Sequence, residues 1–142
     1  MIYSQNRQQT RQVFFDAWQK HLNKQVVEPL ESLIIQIIQQ HPEYHAMLSK
    51  PDTYADKDYS SEMGESNPFL HLGMHIAIQE QVQTDQPAGI LALYQSLQAK
   101  CNDPHKLEHQ IMECLSNTLW EAQQNNTLPD NNKYLACIRK IK

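Results

Sequence analysis

Residues 67–82 read NPFLHLGMHIAIQEQV, and this stretch decides the fold that we predict for the chain. Asn67 is suited to cap a helix that begins at Pro68, because its side chain accepts the first unpaired amide protons and proline fits a first turn. Beyond Pro68, apolar residues occur on nearly every side of the helix. A helix of this kind belongs in the middle of a bundle, where other helices cover it.

Other segments repeat apolar residues every three or four positions, which predicts amphipathic helices. Three glycines in the whole chain are too few for the tight turns of a β sandwich or barrel. We therefore predict an all-α fold, a single-domain helical bundle of about five to six helices over residues 1–142, with one long polar loop at 50–66. The other predicted helices begin near Ser4, Glu28, residues 85–87, Asp103 and Asp130.

Charge and hydropathy exclude several functions. A net charge of -4 without a basic stripe disfavours nucleic-acid binding. No apolar run approaches the roughly 20 residues that span a bilayer, and residues 1–12 lack the apolar stretch of a secretory signal, so we expect a cytoplasmic protein without membrane contact. No glycine-rich phosphate motif is present, and no nucleotide cofactor is expected.

Cys101, Cys114 and Cys137 have no metal-clip spacing and are expected to be reduced.

Histidine pairs are the most informative motif. Random placement of seven histidines in this length would give about 0.3 pairs at a spacing of four. Such a spacing puts two rings on one face of a helix, within reach of one ion, and neutral imidazole suits zinc, iron, copper and nickel. The three pairs are His41 with His45, His71 with His75, and His105 with His109.

The pair His71 and His75 is predicted to be buried, because Ile78 and Val82 continue the same helix face. A buried imidazole needs a partner for each ring nitrogen. Metal coordination at one nitrogen and a carbonyl or carboxylate at the other would satisfy both. Core histidines that only hydrogen-bond to the backbone or to a carboxylate remain an equal alternative.

Carboxylates extend the predicted site. Glu113 follows His109 at the same spacing of four, a combination found in helical-bundle iron sites, although a solvated pair would look the same. Glu31 borders an apolar stripe and either reaches inward or lies at the rim. Pro42 separates His41 from His45 and predicts a break followed by a short helix. The predicted metal ligands are His71, His75, His109, Glu113, His45 and Glu31, with iron or zinc as the metal.

Two functions stay open at this point, and no catalytic residue is assigned. The first is a metalloprotein. The second is a non-enzymatic interaction or regulatory module, in which a buried histidine network fixes the core and the helical surface binds a protein partner or forms a homo-oligomer.

At HPEYH, NPFLHLGMHIAIQEQ and HKLEHQIMECLSNTLWEAQ the chain resembles a bacterial family known as domain of unknown function 1841. The similarity covers nearly the whole chain. It implies that the histidines and glutamates act as one group, and it implies no activity. A looser likeness is to hemerythrin-type bundles, which set histidine and glutamate pairs around one or two metals. The family positions that recur match Glu31, His41, His45, His71, His75, His105, His109, Glu113 and Trp120.

Overall fold

The computed structural model describes residues 7–55, 57 and 67–141. All regular elements in these ranges are helices, so the predicted all-α fold is confirmed. Several begin at a proline, as the sequence predicts, because proline in a first turn sacrifices no helical hydrogen bond. In chain order the helices are α1 (Arg7–Leu22), α2 (Pro29–Gln39), a 3-10 turn (Pro42–Tyr44), α3 (His45–Leu48), α4 (Pro51–Tyr54), α5 (Pro68–Thr84), α6 (Ile90–Lys100), α7 (Pro104–Gln124) and α8 (Asn131–Arg139).

The short elements account for the difference from the predicted five to six helices. Pro42 starts the 3-10 turn and α3 follows it directly, which matches the predicted break and short helix. α4 is a single turn within the predicted polar loop, and most of 50–66 lies outside the described residues. The predicted start of the first helix at Ser4 also lies outside them.

The chain divides into two compact units, Met1–Ile76 and Ala77–Lys142, and the boundary falls within α5. The single domain over residues 1–142 stays a prediction. Across the described part of the chain, no helix has both the length and the apolar character needed to cross a membrane.

The first unit is built around aromatic and aliphatic side chains of α1, α2 and the start of α5. Phe15 is 1% exposed and its ring meets the edge of Phe69 at 5.6 Å between ring centroids. The three- and four-residue spacing of Phe14, Phe15, Trp18 and Leu22 predicts one buried face of α1, and the first three are buried whereas Leu22 is half exposed. Leu22 is the last residue of α1, where no later turn covers it.

Arg11 connects separate parts of this unit. It is buried, and its Nη1 donates hydrogen bonds to the carbonyls of Tyr54 at 3.1 Å and Lys57 at 2.8 Å. The guanidinium also lies 4.6 Å from the ring centroid of Phe69. A buried cation is tolerated here because several acceptors and an aromatic face replace its water.

The second unit contains α7 and α8, whose starts follow the predicted caps. Asp103 accepts from two amides of α7 and Asp130 accepts from two amides of α8. A disulfide joins Cys114 of α7 to Cys137 of α8, so the expectation of reduced thiols is wrong for these two residues. A separation of 23 positions gives no sequence signal of pairing, because the contact depends on how the two helices pack. Cys101 is not part of the disulfide.

Candidate metal centre

Three histidines meet in the first unit. His41 is the residue just before the 3-10 turn, and His71 and His75 lie one turn apart on α5. His75 is 0% exposed and His41 is 3% exposed, so both rings are removed from water. The predicted burial of the pair on α5 is therefore correct for His75, whereas His71 is only partly buried.

The Nε2 atoms of these rings face one another. His71 Nε2 lies 3.1 Å from His41 Nε2 and 3.3 Å from His75 Nε2. Ligand nitrogens bound to a metal at about 2.0 to 2.1 Å are separated by about 3.3 to 3.4 Å in a tetrahedron and by about 2.9 Å across a right angle of an octahedron. The two observed separations lie between these limits.

The tautomer of His41 follows from its backbone contact. His41 Nδ1 lies 2.8 Å from the carbonyl oxygen of Ile37, and a carbonyl can only accept, so Nδ1 carries the proton. In a neutral ring Nε2 then holds a lone pair, and this lone pair is directed at His71 Nε2. Histidines that bind a metal through one ring nitrogen usually donate the other N–H to a carbonyl or a carboxylate, which fixes the tautomer.

No placement of protons on three neutral rings gives a full hydrogen bond in both of these Nε2 contacts at once. If His71 Nε2 carries a proton, it donates to His41 and has at best a shared proton for His75. If His71 Nε2 carries none, two lone pairs face each other at 3.1 Å. A cation among the three Nε2 atoms would accept all three lone pairs.

Tyr44 covers one side of the histidines. Its ring is stacked on His41 at 5.4 Å between centroids and 7° between planes, and it meets His71 at 6.2 Å. Burial, with a smaller contribution from the Glu43 carboxylate, raises the pKa of the Tyr44 hydroxyl. The phenol is therefore neutral at physiological pH and shields the rings without adding a charge.

The second unit holds the pair His105 and His109, one turn apart near the start of α7. Their ring centroids are 4.1 Å apart, and Nε2 of His109 is buried. A ring nitrogen of His41 lies within 4.8 Å of one of His75 in the first unit, and the same limit holds for His105 and His109 in the second.

Comparison with known proteins gives one match. A family model described as domain of unknown function (DUF1841) covers residues 6–140. The chain belongs to this family. No curated protein and no solved structure matches it. Membership of DUF1841 confirms the resemblance noted from the sequence and assigns no chemistry to it, while the likeness to hemerythrin-type bundles stays a prediction.

His45 of this DUF1841 chain is engaged elsewhere, although the sequence predicts it as a ligand. Its Nε2 lies 2.9 Å from the carbonyl oxygen of Ile38, to which it must donate, and its ring packs on Trp18 at 4.5 Å. A nitrogen that donates to a carbonyl has no lone pair for a metal. Nε2 of His45 therefore makes a structural hydrogen bond where the sequence predicts metal coordination.

Glu31 is also occupied. Its Oε1 accepts from the backbone amide of Glu28 at 2.9 Å, which closes a capping box at the start of α2. Its Oε2 forms an ion pair with Lys20 at 2.7 Å. The amide of Glu28 and the Lys20 ammonium hold the pKa of the Glu31 carboxyl below its ordinary value.

We expect Glu31→Gln to leave the metal content unchanged and to remove an acid-sensitive part of the stability. Because the folded-state pKa is lowered, the contribution of Glu31 is complete above the ordinary value of 4.5 and is lost as the pH falls through the lowered value. Unfolding at pH 7 and pH 3 measures this, with a larger difference between wild type and variant at pH 7. An equal difference at both pH values would contradict the assignment.

The remaining predicted ligand, Glu113, is exposed on α7. Trp120 shares its helix face, which predicts that this face is covered, but Trp120 is 61% exposed and the prediction is wrong. The apolar residues Ile111 and Leu115 form the buried side of α7, so Glu113 and Trp120 lie on the side away from it.

Sequence reasoning missed two residues of the DUF1841 chain. The histidine spacing does not predict His41 as a ligand, because Pro42 ends the regular spacing, yet its ring turns back to the carbonyl of Ile37. Glu108 is not among the predicted ligands, although it is only 6% exposed. Its position directly before His109 was the available signal.

Proposed function

We propose that this DUF1841 protein binds a transition metal ion, iron or zinc, with His41, His71 and His75 as nitrogen ligands. The observation that supports this most is the pair of Nε2 separations, 3.1 and 3.3 Å, around His71. These values fit ligands of one ion, and the carbonyl of Ile37 holds His41 in the tautomer that a ligand needs.

The chemistry of the donors favours particular metals. Neutral imidazole nitrogens suit zinc, iron, copper and nickel, whereas calcium and magnesium prefer oxygen ligands. Three protein ligands leave further coordination positions for water or a substrate. The sequence-based assignment of His109 to the same ion as His71 and His75 stays a prediction, and the metal stoichiometry of a His109→Ala variant tests it.

Metal analysis of the untagged, full-length chain tests the proposal directly. We expect about one equivalent of iron or zinc after purification, and an increase in melting temperature when the metal-depleted protein is reloaded, since an ion that binds only the folded state stabilises it. Less than roughly a tenth of an equivalent of any transition metal, together with an unchanged melting temperature on adding iron or zinc, would overturn the proposal.

A second candidate function is an interaction or regulatory module with a structural histidine network. The contacts of His45 with Ile38 and Trp18 support it, because they show one histidine of this unit serving the core alone. This function predicts that variants of His71 or His75 lose stability without any change in metal content. It also predicts a protein partner or a homo-oligomer. Light scattering of the purified protein detects the homo-oligomer.

We also propose that the protein is cytoplasmic and has no nucleic-acid partner. The net charge of -4 supports the absence of a nucleic-acid partner. The redox state of the disulfide between Cys114 and Cys137 tests the cytoplasmic location. Cytosolic disulfides are rare in mesophiles because thiol buffers reduce them. Rapid alkylation of thiols in intact cells, followed by mass spectrometry, measures the state of both cysteines.

A further inference from the structure

The two cysteines of the disulfide in the second unit differ in exposure. Cys114 is only 4% exposed and lies on the buried side of α7 with Ile111 and Leu115, whereas Cys137 in the last turn of α8 is partly exposed. A thiolate breaks a disulfide by attacking one of its two sulfurs, and access decides which sulfur is attacked. An incoming thiol therefore reaches Cys137 and not Cys114.

α8 has anchors that do not involve the disulfide. The hydroxyl of its buried Tyr134 donates a hydrogen bond to Oε1 of Gln81 at 2.7 Å. Leu135 and Ile138 on the same helix are buried as well. Because these contacts remain when the cysteines are reduced, the two thiols stay neighbours. Neighbouring groups react at a high effective concentration, so the bond can form again after it has been broken.

Two lysines flank Cys137 on its helix. Lys133 lies four positions before it and Lys140 three positions after it, which places both on its face of α8. Lys133 pairs with Glu121 of α7 at 3.7 Å, but its side chain is 68% exposed, and a surface pair of this kind is weak. Exposed ammonium groups attract an anion to this face and repel a cation.

We propose that Cys114 and Cys137 form a thiol–disulfide exchange site for a small anionic thiol of the glutathione class. Cys137 bonds to the small thiol, and Cys114 displaces it. The site lies apart from the proposed metal ligands in the sequence and does not depend on metal binding. An exchange site also agrees with the proposed cytoplasmic location, since the disulfides of cytosolic proteins are usually transient.

The exchange balances with glutathione disulfide as the oxidant. The thiolate of Cys137 attacks one sulfur of glutathione disulfide, a bond forms between Cys137 and glutathione, and one glutathione thiolate leaves. The thiolate of Cys114 then attacks the Cys137 sulfur, and the second glutathione thiolate leaves. The protons of the two protein thiols pass through water to the two glutathione thiolates. Two electrons go from the protein to the glutathione disulfide, and the reverse sequence reduces the protein.

Single-cysteine variants of the full-length chain trap the first step. In a Cys101→Ala background, Cys114→Ala leaves only Cys137 and Cys137→Ala leaves only Cys114. With glutathione disulfide, we expect intact mass spectrometry to detect one glutathione on Cys137 at a rate at least about tenfold higher than on Cys114. When both cysteines are present, we expect the disulfide and no lasting adduct. Equal rates in the two single-cysteine variants would overturn the assigned roles.

A test on the unaltered chain does not depend on how the variants fold. The oxidised wild type is mixed with reduced glutathione, the reaction is stopped with an alkylating reagent, and peptide mass spectrometry locates the mixed disulfide. We expect it on Cys137. A mixed disulfide on Cys114 contradicts the proposal. A disulfide that opens only after the chain is unfolded in denaturant is a structural crosslink, and this result also contradicts it.

Cystamine, a disulfide with two positive charges, tests the charge of the partner. We expect Cys137 in the Cys114→Ala variant to prefer glutathione disulfide over cystamine by at least about twofold, after each rate is divided by that of free cysteine. Lys140→Gln should lower this preference. Lys106→Gln removes an exposed lysine near the start of α7 and is the matched control that should keep it. The absence of a preference in the parent variant would rule out an anionic partner.

Discussion

Replacing His75 by alanine is expected to remove metal binding and to lower the free energy of unfolding by about 2 to 4 kcal/mol. His75 is fully buried, and its Nε2 lies 3.3 Å from Nε2 of His71. The variant loses a ligand of the proposed ion and leaves a cavity that the surrounding helices fill only in part. Metal analysis and chemical denaturation of the metal-depleted protein measure the two effects separately.

His45→Ala is the matched control for this experiment. His45 is also a histidine of the first unit, with a hydrogen bond to the Ile38 carbonyl and a ring contact with Trp18. We expect the control to lose stability and to retain its metal. Retention of metal by His75→Ala would show that the three histidines form a structural network. Loss of metal from both variants would show that unfolding, and not a missing ligand, removes the ion.

Loss of the disulfide is expected to destabilise the second unit by about 3 kcal/mol, according to the chain-entropy estimate for a loop of this size. Cys114→Ala combined with Cys137→Ala opens a loop that spans 23 positions of sequence. Cys114 is buried, and alanine is smaller than cysteine by only one sulfur atom, so the substitution leaves little extra space. Thermal unfolding of the oxidised wild type and the double variant measures the change, which corresponds to roughly 10 °C in melting temperature.

Cys101→Ala provides the control, because Cys101 lies outside the disulfide. We expect its melting temperature to match that of the wild type, with and without reductant. Reductant should lower the melting temperature of the wild type towards that of the double variant and leave the double variant unchanged. Equal melting temperatures for the oxidised and reduced wild type would contradict the stabilising role.

The fold was predictable because helix signals are local. Asp103 and Asp130 cap the helices that their positions predict, and apolar spacing identified the buried side of α7. The disulfide was not predictable, since Cys114 and Cys137 meet only through the packing of two helices. Leu22 shows the same limit, because periodicity does not tell whether the last turn of a helix is covered.

The site was predictable only within single helices. His71 and His75 share a face of α5, so spacing alone identified them. His41 could not be assigned, because its approach depends on the turn that Pro42 begins. Glu31 could not be placed inward or at the rim from the sequence for a related reason. Its two partners are the amide of Glu28 and the side chain of Lys20, and the second lies 11 residues away on another helix.

The hydrogen bond from His41 to Ile37 makes the choice of tautomer independent of the side chain at position 37. The acceptor is a backbone carbonyl near the end of α2, and every residue type supplies the same oxygen there. Ile37 itself is buried in the core, so the substitutions that can accumulate there are those that its packing tolerates, and they leave the imidazole undisturbed as long as the last turn of the helix persists. The residue type at position 37 would therefore not indicate that its carbonyl holds the His41 ring. Only the helical character of the segment would indicate it.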